Sequence, residues 1–169
     1  MLVHRLTGTR EKTWRHDNGT FWPQELLAEV FPRARITIFG YDADVVRFWT
    51  LPTSNRLSDH GKALAYPLLD QRIQIQSRPI ILIAHSLGGL VCEEALVLSD
   101  KRDDLGSILA NTFGIIFLGT PHVGSCLAHW GHTVAKYVNM FWGTSRDILK
   151  NPQPGSSDLQ RVEEDFQQM

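Results

Sequence analysis

The chain has 169 residues, of which 43% are apolar and 21% charged. That composition excludes a wholly disordered or fibrous chain and suits one domain with its own core. Lys and Arg number 17 against 18 Asp and Glu, a net charge of -1, so no basic excess points to nucleic acid or to an anionic membrane surface.

No apolar run reaches the roughly 18–20 residues that a spanning helix needs. No secretory leader follows Met1, and Cys92 and Cys126 lack metal-type spacing. These features predict an intracellular protein with reduced, structural cysteines.

The chain alternates short apolar runs with helical patterns, which predicts a mainly parallel sheet with helices on its faces. Leu2-Val3-His4 reads as the end of a strand whose start is absent. Pro23 opens a short helix to about Phe31, with Leu26, Leu27, Val30 and Phe31 as its inward stripe. A strand is expected over Ala34–Phe39, closed by Gly40. Ser58 or Asp59 caps a helix whose stripe is Leu64, Leu68, Leu69 and Ile73, stopping before Pro79.

The third strand is Pro79–Ala84. Its run Ile80-Ile81-Leu82-Ile83 is continuous, as expected of a strand covered on both faces. A helix follows from Leu87 to about Ser99, then a charged turn and a short helical turn over Ser107–Thr112. The fourth strand is Gly114–Leu118. A helix is expected over Ser125 to about Phe141, a linker over 151–157, and a half-buried helix over Leu159–Phe166.

Ala84-His85-Ser86-Leu87-Gly88-Gly89 joins the strongest strand to a strong helix. A serine raised on such a tight corner needs small neighbours two before and two after, and Ala84 and Gly88 meet that need, with His85 and Gly89 completing the elbow. Ser86 is therefore the expected nucleophile, at the carboxyl edge of the sheet and at a helix N-terminus. The N–H of Leu87 is the natural first oxyanion donor. Leu6, after the first strand, is the expected second donor. No phosphate-binding Gly pattern surrounds the motif.

Gly119-Thr120-Pro121-His122 follows the fourth strand on the same edge. His122 is read as a pocket-rim residue, because the base of such folds follows the last strand. His129 and His132 are three apart on a predicted helix, but two ligands do not make a metal site, so none is expected. Asp147, Asp158, Glu163, Glu164 and Asp165 read as solvated charges. No cofactor is expected.

His4-Arg5-Leu6-Thr7-Gly8, Thr13-Trp14, Phe21-Trp22-Pro23, Phe39-Gly40-Tyr41-Asp42-Ala43, His85-Ser86-Leu87-Gly88-Gly89 and Gly119-Thr120-Pro121-His122 occur in order and at fitting intervals. Together they resemble the lipase-like serine hydrolase domain of the serine-active-site-containing protein family, of the kind that precedes NACHT and ankyrin-repeat regions in fungi. The resemblance implies an α/β-hydrolase fold and an esterase or lipase-like activity on ester or lipid-like substrates. It also implies NACHT/ankyrin-type partner regions, and association with mitochondrial or endoplasmic reticulum membranes without a spanning segment.

Two departures stand out. Arg5 occupies a position where the family has Gly, and no matching positions for the triad acid and histidine occur up to Met169. Residues 1–142 are accordingly expected to form a partial hydrolase core, and 143–169 a polar loop and short helix of the same truncated domain. Such a chain is expected to be weak or inactive alone. The other reading is a non-catalytic interaction or regulatory module of a larger protein.

Overall fold

The computed structural model of the chain describes residues 1–4, 11–40, 56–120, 122 and 156–169. Four strands, β1 (Leu2–Val3), β2 (Ile38–Phe39), β3 (Ile80–His85) and β4 (Thr112–Leu118), form one sheet in the order β2-β1-β3-β4. Every pairing is parallel. The chain steps outward from β1 to β2, then returns to the other side of β1 for β3 and β4. The order thus reverses between β1 and β3, and a crevice at the carboxyl ends of those two strands is where open α/β sheets bind ligands.

The helices are α1 (Ala28–Val30), α2 (Arg56–Asp70), α3 (Gly88–Lys101), α4 (Gly106–Asn111) and α5 (Ser156–Gln168). α2 and α3 pack side by side, and α4 and α5 pack on α3. Val3, Leu82 and Ala84 point into this layer and meet Leu64, Ala65, Leu90 and Val91, all of them buried. Each Val or Leu side chain so removed from water contributes about 1.5–3 kcal/mol. α3 is buried almost all round because sheet, α2, α4 and α5 surround it.

Residues 12–31 lie on the opposite face of the sheet. They comprise a 3-10 turn at Lys12–Trp14, a π-turn at Pro23–Leu27 and α1.

Several expected boundaries shift. β2 is two residues rather than six, because β1, its neighbour, offers only Leu2 and Val3 as ladder partners. Leu26, Val30 and Phe31 are exposed, not an inward stripe. The π-turn is wider than an α-turn and rephases the faces that a 3.6-residue period assumes. α2 ends at Asp70, leaving Ile73 exposed, and contains Pro67, which deprives the helix of one backbone hydrogen bond.

β3 is not covered on both faces: Ile81 and, on β4 opposite Ile83, Ile116 are exposed, since they project away from the α2–α3 layer. β4 begins at Thr112, and α5 runs past both ends of its expected span. The helix expected over 125–141 lies outside the described residues. None of the described helices is long and apolar enough to cross a membrane.

Candidate active site

The Ser86 backbone leaves the sheet at a corner. Its φ is +54°, and among the described residues it is the non-glycine residue with positive φ. An L-residue there costs about 1 kcal/mol or more, so the surroundings must hold it. Two hydrogen bonds do so. The Ser86 N–H donates to the Leu118 carbonyl of β4 at 2.9 Å, and the Gly89 N–H donates back to the Ser86 carbonyl at 3.0 Å. Leu87 then adopts helical φ and ψ as the cap of α3. Its N–H belongs to the first turn, where helix geometry provides no acceptor and the dipole favours negative charge. The Ser86 side of the corner is 8% exposed.

The small residues of the corner answer to close approaches. A Cβ on Gly88 would stand 2.7 Å from the His4 carbonyl oxygen and 2.8 Å from that of Val3. A Cβ on Gly89 would stand 2.1 Å from the Thr120 hydroxyl oxygen. α3 therefore starts pressed between the end of β1 and the turn after β4. Ala84 is buried at the β1 contact, paired with Val3. His85 faces the other side of the sheet, where its ring meets Trp14 edge-on at 6.3 Å; Trp14 in turn packs on Trp22 at 5.7 Å. The elbow residues Ala84, His85, Ser86, Leu87, Gly88 and Gly89 thus converge. Leu6 lies outside the described residues.

His122 stands on the same edge. Its ring packs edge-on against Phe117 at 4.7 Å, and its N–H donates to the Thr120 carbonyl. Its Nδ1 lies 3.0 Å from Oε1 of Glu93 on α3. Gly89 and Glu93 are one turn apart on one helix face, so that face meets the post-β4 turn twice, through Thr120 and through His122. Glu93 is fully buried, and beyond this contact with His122 its carboxylate oxygens have no hydrogen-bond partner among the described residues. Burial first, and Glu163 of α5 second, push its pKa up to about 8.

Glu93 is a residue that the sequence reading passed over. The signal was present: two adjacent acids, Glu93 and Glu94, interrupt an otherwise apolar helix. Glu163 corrects an expectation, since it is buried at the α3–α5 contact rather than solvated. Glu94 is buried too and is paired with Arg161 at 3.2 Å. Cys92 is buried and free, with its thiol pushed far up by desolvation. Among the described residues no three His, Cys, Asp or Glu side chains gather to hold a metal. His129, His132, Asp147 and Cys126 lie outside the described residues, as does the Asp158 side chain.

Neither a protein-family model nor a solved structure matches the chain. Curated relatives do. The chain is 31% identical over 146 residues to Protein SERAC1 of Mus musculus, covering 77% of the chain and 22% of that protein. It is 31% identical over 154 residues to Protein SERAC1 of Danio rerio, covering 79% of the chain and 23% of that protein. With Protein SERAC1 of Bos taurus the identity is 29% over 146 residues. The chain spans less than a quarter of the length of these relatives. Its relatives are thus SERAC1 proteins, serine active site-containing proteins by name, in keeping with the family that the ordered motifs resemble.

Proposed function

We propose that this chain is a serine hydrolase domain acting on ester bonds, with Ser86 as its nucleophile. The observation that carries the reading is the positive φ of Ser86 on a strand-to-helix corner at the reversal of strand order. A strained backbone persists only where its surroundings over-determine it, and such positions cluster at functional sites. Similarity to SERAC1 proteins supports the reading independently.

In the proposed reaction the Ser86 hydroxyl attacks the ester carbonyl. The Oγ–C bond forms, the hydroxyl proton passes to a base, and the carbonyl oxygen becomes an oxyanion facing the Leu87 N–H, with Leu6 as second donor. Collapse of the tetrahedral intermediate expels the alcohol, which takes a proton. Water then hydrolyses the acyl-serine. The resemblance extends the proposal to lipid-like esters and to action near a membrane surface.

A fluorophosphonate probe tests the reading. The expected result is covalent labelling of the full chain at a serine, abolished by Ser86→Ala. A folded protein that resists labelling favours the second reading, a non-catalytic module, for which the near-complete burial of Ser86 is the supporting observation.

A further inference from the structure

An apolar hollow lies away from Ser86. A cavity of about 340 Å³ lies near the amino-terminal edge of the sheet, walled by Leu2, Phe31, Ile36, Ile80, Ile81 and Ile83. That volume is at the lower end of the range for small-molecule sites. Three arginines, Arg35, Arg72 and Arg78, also line it.

The arginines are unusual in their partners. Arg72 is only 7% exposed, and a buried cation is ordinarily paired with an anion. Here its guanidinium donates to the backbone carbonyls of Gln76 and Arg78. Arg35 donates to the Gln71 carbonyl at 3.2 Å, and Arg78 to the Arg33 carbonyl at 3.1 Å. Among the described residues no carboxylate lies within ion-pair distance of any of the three. Each guanidinium carries five N–H donors; Arg35 and Arg78 are exposed, so their remaining donors are open to water or to a ligand. Burial and the neighbouring Arg78 both lower the Arg72 pKa, the sign of a cation lacking a counter-charge.

We propose that this cavity binds a single-chain anionic amphiphile, a monomeric fatty carboxylate, with its tail among the isoleucines and its head on the arginines. Charge complementarity selects the head: three cations with no acid partner among the described residues favour an anion, and the planar guanidinium fork matches a carboxylate two bonds at a time. The volume selects a single chain. Of the walls, Leu2 and Ile80 are buried while Phe31 and Ile81 are exposed, so vesicles stand beside the monomeric amphiphile in the test. The site is separate from Ser86, which lies at the carboxyl edge of the same sheet and does not line this cavity, so the proposal stands whether or not Ser86 is a nucleophile.

The test is calorimetric titration of the full chain with dodecanoate below its micelle concentration, beside dodecanol, dodecyltrimethylammonium and anionic phospholipid vesicles. One dodecanoate is expected to bind per chain, at least tenfold more tightly than dodecanol, with no binding of the cationic analogue. Arg35→Ala with Arg78→Ala, which leaves the Arg72 brace in place, is expected to weaken dodecanoate binding at least tenfold. Ile81→Trp, which fills the cavity from its wall, is expected to abolish binding. Melting curves confirm that each variant is folded. Should the double variant fail to fold, the ranking of the three head groups on the wild-type chain decides. Equal binding of all three head groups, unchanged affinity in the folded double variant, no binding to the wild-type chain, or binding to vesicles alone would each overturn the proposal. Ser86→Ala is expected to bind dodecanoate as the wild-type chain does.

Discussion

Gly88 lies directly against the end of β1: a Cβ on it would stand 2.7 Å from the carbonyl oxygen of His4. The obstacle is backbone at the end of a sheet strand, with the Val3 carbonyl close behind it at 2.8 Å from the same Cβ, so it cannot swing aside as a side chain would. Gly88→Ala is therefore expected to destabilise the chain by about 1–3 kcal/mol, as overpacking of a tight site does. Urea denaturation checks this. Gly89→Ala meets the Thr120 side chain instead, so combining it with Thr120→Ala is expected to recover part of the loss. Additive losses in that pair would mean that the Thr120 contact is not what excludes a side chain at 89.

The strain at Ser86 has its own signature. Ser86→Gly removes the Cβ from a residue at φ +54°, whereas Ser86→Ala keeps it. Glycine at 86 is expected to be more stable than alanine at 86 by about 1 kcal/mol, against the usual order for a buried position. Comparing the two denaturation midpoints checks it. Alanine as stable as glycine would show a relaxed corner.

Glu93 links stability to pH. Its folded pKa is raised from 4.5 to about 8 by burial and by Glu163. Between those values the folded chain holds a proton that the unfolded chain releases, so this group's contribution to stability falls as pH rises through the window and is at its lowest above about 8. Glu93→Gln cannot ionise. Its stability relative to the wild-type chain is expected to increase from pH 5 to pH 8, read as a widening gap in melting temperature. A constant gap would mean that the carboxylate is stabilised as an ion by the His122 imidazole 3.0 Å away.

The seat of α5 on α3 depends on a pair with one buried member. The Glu94 side chain is buried, while Arg161, its partner at 3.2 Å, is about half exposed. Removing the arginine leaves a carboxylate with little access to water. Arg161→Ala is expected to cost about 1–2 kcal/mol, below the figure for a fully buried pair because solvent screens the arginine end. Faster amide exchange confined to residues 160–168 checks it. Glu94→Gln in the same background is expected to restore much of the protection.

The corner was legible in the sequence because its demands are local. A strand, a tight turn with small residues at fixed offsets and a helix follow one another within a few residues, and Ala84, Gly88 and Gly89 each answer a contact found in the fold. The parallel sheet was legible for a similar reason, since each strand carries its own apolar run. Glu93 was not. A carboxylate in a helical pattern reads as surface unless the neighbours on every side are known, and those neighbours, His122 and Glu163, lie far along the chain. Arg72 was hidden likewise, because its acceptors belong to a turn that no periodicity describes. The short β2 and the rephased face of residues 23–30 depend on tertiary partners and on a π-turn, neither of which leaves a mark in hydrophobic spacing.

The start of α3 is wedged from two sides, by the carbonyls of β1 on one and by Thr120 on the other. A corner clamped in this way has no loosened form short of the sheet coming apart. On gradual heating, loss of the geometry around Ser86 is therefore expected to coincide with the cooperative melt instead of preceding it, which makes the reactivity of that hydroxyl a reporter of whether the whole domain is intact.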